Sequence, residues 1–124
     1  MTDPAVRTRI QVCIDCHDDA LLWPFWAAAL DYEPHRVGDG WRELVDPAGA
    51  GPVVWFQPVP EPKLAKNRLH LDIWFPDESA AVGKRKELAK IGGRAVRRGH
   101  DFWLMADPEG NEFCLCWPLD DQAK

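Results

Sequence analysis

A weak internal repeat constrains this chain more than any other feature. Asp46-Pro47-Ala48-Gly49 recurs as Asp107-Pro108-Glu109-Gly110, 61 residues later. D-P-x-G is a turn tetrapeptide: Asp bonds the backbone just downstream, Pro presets φ, and Gly accepts a positive φ. The flanks repeat as well. Strand-like stretches precede the two copies, at residues 40–45 and 100–105, and apolar stretches follow them, at 53–57 and 113–117. Further upstream, Ile10-Gln11-Val12-Cys13-Ile14-Asp15 and Leu69-His70-Leu71-Asp72-Ile73-Trp74 both alternate apolar and polar, 59 residues apart. That period of two marks a half-buried strand.

Between strand and turn, each half carries a helix signal. Asp18 and Asp19 in the first half and Asp77 in the second can cap a helix N-terminus. Leu21, Leu22, Phe25, Trp26, Ala29 and Leu30 then form one apolar stripe at helical spacing. Pro24 predicts a kink or a late start, because proline is tolerated only near a helix beginning. The second helix is expected over residues 78–91, ended by Gly92-Gly93. Each half therefore reads β-α-β-β-β, an α+β class. Module one covers about 9–57, a proline-rich link 58–67, and module two about 68–119. Halves of about 60 residues are small for independent stability, so one domain spanning residues 1–124 is expected.

Charge and segment composition narrow the function. The net charge of −5 argues against nucleic-acid binding and against a basic membrane-surface protein. The longest near-apolar run, residues 20–30, is too short to span a bilayer. The opening MTDPAVRTR has no apolar signal-peptide core, so a cytoplasmic protein is expected. Patterns for serine hydrolases, P-loops and dinucleotide-binding turns are absent from the sequence. The four cysteines fall as Cys13/Cys16 and Cys114/Cys116, each pair on one short segment. We read them as reduced, partly buried thiols; zinc and redox C-x2-C pairs sit on tight turns or helix starts rather than inside a strand.

Strand alternation puts a polar row on one sheet face. Ile10, Val12 and Ile14 should face the helices, with Gln11, Cys13 and Asp15 opposite. Leu69, Leu71 and Ile73 likewise oppose His70, Asp72 and Trp74, and Phe113, Leu115 and Trp117 oppose Glu112, Cys114 and Cys116. Gln, His, Glu, Asp, Cys and Trp together suit a cleft around a small molecule or a metal. His70 and Glu112 on neighbouring strands can form a proton-transfer pair or a plain structural bridge. Asp15 and Asp72 can line the cleft or bind backbone at strand ends. Trp55, Trp74 and Trp103 can form an aromatic wall or pack in the core. Cys13 and Cys114 can face each other across the cleft, and no neighbour in sequence supplies the lowered pKa of a nucleophile. His17, His35 and His100 read as solvated turn residues, and residues 84–87 and 94–98 as exposed charged faces.

Three segments carry a family resemblance. Residues 66–72 (KNRLHLD), residues 107–115 (DPEGNEFCL) and Phe25-Trp26 ahead of Leu30-Asp31-Tyr32 resemble the glyoxalase-like branch of the vicinal oxygen chelate superfamily. The resemblance runs from about Arg9 to Leu119. It implies two βαβββ modules whose sheets curl around a central cleft, and a homodimer. By position it also implies metal ligands at Gln11, near Val53, at His70 and at Glu112, for Zn²⁺, Ni²⁺, Mn²⁺ or Fe²⁺. The fourth position departs from the pattern: Ala50-Gly51-Pro52-Val53-Val54 offers no carboxylate, and Gln57 lies about 13 Å further along the strand.

The superfamily hosts several reactions, so its fold leaves function open. One reading is lyase or isomerase chemistry on a small molecule, with a metal or the His70–Glu112 pair polarising a carbonyl or moving a proton. A second is sequestration of an aromatic or cationic compound, as in bleomycin-resistance proteins. A third is a structural or regulatory module with a vestigial cleft. The residues expected to line the cleft are Cys13, Trp55, Gln57, Asp72, Trp74, Trp103 and Cys114.

Overall fold

The computed structural model describes residues 8–38 and 40–119; most of the signal-peptide window, residues 1–7, lies outside them. The chain runs β1 (Gln11–Cys16), α1 (Asp19–Leu30), β2 (Glu33–Val37), β3 (Trp41–Val45) and β4 (Val53–Pro58), then β5 (Asp72–Trp74), α2 (Glu78–Ala89), β6 (Arg94–Arg98), β7 (Phe102–Ala106) and β8 (Glu112–Cys116). Two four-stranded mixed sheets result, ordered β1-β4-β3-β2 and β5-β8-β7-β6. In each, the strand before the helix pairs in parallel with the last strand, and the remaining pairs are antiparallel. The two βαβββ modules expected from the repeat are present.

Local chemistry sets the helices. Asp18 is extended and accepts the Leu21 amide, and Asp77 accepts the Ala80 amide, so each helix has an acidic cap. Pro24 does not delay α1, which starts at Asp19 and runs through it. The proline removes one i→i−4 bond, that to the Ala20 carbonyl, and Ala20 is exposed, so water can satisfy it. Past α2, Gly92 takes φ 101°. Gly93 packs so closely that an added Cβ would meet Phe25 Cε1 and the Leu88 carbonyl oxygen at 2.9 Å each.

One core serves both modules. Leu22, Phe25 and Trp26 from α1 join Leu44, Val54 and Phe56 of the first sheet and Leu88, Met105, Phe113 and Leu115 of the second half in a single buried cluster. Trp26 lies 4.8 Å from Phe113, and Phe25 lies 5.9 Å from it, centroid to centroid. Trp26 Nε1–H also donates to Asp107 Oδ2 at 3.0 Å. The D-P-E-G turn thus clamps the first module: the Glu109 carboxylate accepts the His17 and Asp18 amides at 2.8 and 2.7 Å.

Several expectations change here. The strand expected over residues 69–74 shortens to Asp72–Trp74. Leu69 and Ile10, expected on the packed face, are 87% and 73% exposed. Both stand outside the ladders, where no helix covers them. His35 lies in β2 rather than a turn. Lys84, read as part of a solvated face, is only 8% exposed. Its ammonium donates to the Ala28 carbonyl at 2.7 Å and to Asp31 at 3.0 Å, tying α2 to the end of α1.

Candidate functional site

The polar row of the second sheet lines a cavity and gives the candidate site. Asp72 and Cys114 are register partners across the parallel β5/β8 ladder, so their side chains lie side by side on one face. His70 precedes Asp72 by two residues and falls on the same side. Its Nε2 lies 3.2 Å from Asp72 Oδ1, with both side chains half-exposed. The donor atoms of His70, Asp72 and Cys114 all lie within 4.8 Å of one another. Among the described residues, these His, Cys, Asp and Glu donors are the ones close enough to share an ion.

This group walls a cavity of about 360 Å³, which Trp74, Phe102, Lys66, Arg97, Asp101 and Cys116 also line. Trp74 is 60% exposed at its rim. A neighbouring cavity of about 450 Å³ lies between β1 and residues 67–71, lined by Cys13, Asp15, Glu112 and Asn111 among others. His70 lines both cavities.

Electrostatics separates the groups. Burial pushes the Cys114 thiol up to about 11; the Asp72 carboxylate beside it adds to the rise, while the Arg97 guanidinium opposes it. Cys116 is pushed up to about 12, again mainly by burial. Both are therefore neutral thiols at pH 7, and neither is an activated nucleophile. The Lys66 ammonium pairs with Glu112 and holds its carboxyl below the usual carboxylate range.

The expected residues separate into groups. His70, Asp72, Trp74 and Cys114 come together around the first cavity. Asp72, for which backbone binding was the other reading, lines that cavity and faces His70. Glu112 shares the second cavity with His70 and Cys13, but its carboxylate is engaged by Lys66. Gln11 lines a separate surface groove with Val53, Gly49 and Ala50. Cys13 Sγ donates to Gln57 Oε1 at 3.8 Å, on the same face as Trp55. The Trp55 ring meets Trp41 edge-on at 5.2 Å rather than a cavity wall of the second sheet. Trp103 is the register partner of Leu115 and points to the helix side, where Arg85 lies 4.5 Å over its ring.

Sequence reasoning did not single out Lys66, Arg97, Phe102 and Cys116, which also line the first cavity. Period-two alternation does place Cys116 on the face of Cys114, but not in the cleft-lining set. Arg97 depends on a register shift between Ala95 and Arg97, which makes it the partner of Leu104 and so a neighbour of Cys114. A bulge of that kind leaves no signature in a run of three arginines among five residues.

The glyoxalase-like domain profile matches residues 11–116. The chain belongs to this family. No curated protein matches its sequence. Among solved structures, it is similar to a glyoxalase/bleomycin resistance protein/dioxygenase family enzyme from Burkholderia phytofirmans PsJN, at 13% identity and TM-score 0.74, covering 88% of this chain and 97% of that one. It is similar to a glyoxalase-related enzyme from Fulvimarina pelagi, at 13% identity and TM-score 0.70, over 95% and 96% of the two chains. It is also similar to the fosfomycin resistance protein FosX from Mesorhizobium loti, at 10% identity and TM-score 0.70, over 94% and 96%. At such identities the likeness concerns the fold. Among the described residues, no helix is long and apolar enough to cross a membrane.

Proposed function

We propose that this glyoxalase-like chain binds a small carbonyl compound in the second-module cavity and moves a proton on it, as a lyase or isomerase does. The observation that carries this reading is the His70–Asp72 pair, Nε2 to Oδ1 at 3.2 Å, on the wall of a cavity about 360 Å³ in volume. A carboxylate beside an imidazole fixes the ring's orientation, which suits a group that takes a proton and returns it. Lys66 and Arg97 on the same wall can hold an anionic end of the substrate. Trp74 and Phe102 supply the apolar side. The aromatic rim also supports a second reading, sequestration of an aromatic compound without turnover.

The test is hydrogen exchange at carbon. Protein in D₂O is incubated with a panel of α-keto and α-hydroxy carbonyl compounds, plus fosfomycin because of the FosX likeness, and followed by NMR. Binding is read in parallel from tryptophan emission, with Trp74→Phe identifying the reporter. Deuterium incorporation that His70→Gln abolishes supports proton transfer. Quenching without exchange supports sequestration. No quenching and no exchange across the panel overturns both.

A further inference from the structure

We propose that Cys114, His70 and Asp72 form a thiolate-containing binding site for a divalent cation of the zinc class. The inference rests on the reading above of this cavity as a small-molecule site, with a bound cation rather than free His70 then acting on the carbonyl, and its test needs no substrate.

The donor set is the first argument. A thiol sulfur, an imidazole nitrogen and a carboxylate oxygen suit zinc and cobalt, and they disfavour calcium and magnesium, which prefer all-oxygen sites. Spacing is the second. Ligand atoms around a tetrahedral zinc stand roughly 3.3–3.6 Å apart, as Zn–S of about 2.3 Å and Zn–N of about 2.05 Å require. His70 Nε2 and Asp72 Oδ1 are 3.2 Å apart, and all three donors lie within 4.8 Å, so small side-chain rotations close the set.

The third argument is what has become of the alternative set. Position in the repeat implies His70 with Glu112 and Gln11. Lys66 engages Glu112, and Gln11 opens onto a different groove. One step of two residues along both strands replaces the pair His70/Glu112 by Asp72/Cys114 on the same face. His70 can serve either layer, and among the described residues the Lys66 ion pair falls on Glu112 rather than on Asp72 or Cys114, although Lys66 and Arg97 line the same cavity.

Binding is a coordination step without redox change. The Cys114 sulfur–proton bond breaks, the proton passes to solvent, and the sulfur lone pair forms the bond to the metal. Three protein ligands leave a position open toward the cavity, as catalytic zinc sites do.

The test is titration of chelator-treated protein with Co²⁺, watching for the thiolate-to-cobalt charge-transfer band in the near ultraviolet. We expect one equivalent bound, the band present, release of about one proton per metal, and bleaching of the band by Zn²⁺. Cys114→Ser should abolish the band, while Cys13→Ser and Cys116→Ser retain it. Because Cys114 is buried and its replacement can disturb folding, half-exposed Asp72 gives the second variant. Asp72→Asn should weaken Co²⁺ binding about tenfold or more with an unchanged circular dichroism spectrum. Glu112→Gln should leave affinity within about twofold on the same ground. Absence of binding, binding without the band, or a band that survives Cys114→Ser overturns the assignment. Loss of binding in Glu112→Gln with Cys114→Ser unaffected overturns it as well. Deuterium exchange without metal binding would sink this site and leave the proton-transfer reading; metal binding without exchange would do the reverse.

Discussion

Asp107 does in the second D-P-x-G turn what Asp46 does in the first, and one thing more. Each carboxylate collects the amides of its own loop. Asp46 Oδ1 accepts from Ala48, and its Oδ2 from Ala50 and Gly51, at 2.9, 3.1 and 2.7 Å. Asp107 Oδ1 accepts from Glu109 and Asn111, leaving Oδ2 for the Asn111 amide group and for Trp26. The loop amides hold the Asp46 carboxyl below its usual value. A carboxyl lowered in the folded state contributes stability above its unfolded value, near pH 4, and that stability disappears as pH falls through the folded value. Asp46→Asn should therefore lower the urea midpoint at pH 7 and flatten its decline below about pH 4. Midpoints at pH 7 and pH 3 that differ by the same amount in variant and wild type would contradict this.

The helices are joined by a residue that the sequence makes look ordinary. Lys84 stands in a run of charges, Lys84-Arg85-Lys86-Glu87, yet its ammonium reaches the last turn of α1. Asp31 there has φ 55°, the left-handed geometry of a helix end, and cations are favoured at such carboxyl-terminal carbonyls. Lys84→Met keeps the buried stem and removes the head group. It should cost about 1.5–2 kcal/mol, since the Ala28 carbonyl loses a charged donor. Glu87→Gln should change stability by less than about 0.5 kcal/mol, because its pair with Lys84 is half-exposed on the glutamate side. Urea melts of the two variants decide it, and equal midpoints would remove the latch. The same contrast explains what could be read in advance. Strand alternation placed His70, Asp72 and Cys114 on one face, because period two is written directly in the chain. Acidic caps at Asp18 and Asp77 were legible for the same reason. Which strands adjoin, and how a long side chain snorkels between helices, depends on tertiary packing that no local pattern encodes. So the Lys66–Glu112 pair and the bulge that aims Arg97 were not legible, and for Trp103 the chain left core packing and an aromatic wall both open.

At the scale of the whole molecule, the repeat predicts two similar modules, and packing makes them interdependent. Phe113 is fully buried on β8, yet two of its aromatic neighbours, Phe25 and Trp26, belong to α1 of the other half. The second module's turn also holds the α1 start through Glu109 and the Trp26 indole through Asp107, which is 3% exposed. An arrangement with one shared core and cross-module hydrogen bonds should unfold in one step. Phe113→Ala removes a ring from that shared core and should cost about 3–5 kcal/mol. The informative part is where the loss registers. A probe on the first sheet, such as emission reporting on the pair of exposed Trp41 and half-buried Trp55, should shift its midpoint as far as the far-ultraviolet dichroism of the whole chain. The substitution lies in the other sheet, so only coupling through the shared core and the cross-module hydrogen bonds can move that probe. An unmoved Trp41–Trp55 transition beside a lowered second one would mean that the modules fold separately. In that case the cavity between β1 and residues 67–71 would be a gap between independent bodies rather than part of one site. Coincident shifts would mean that the two modules unfold as one unit around their shared core.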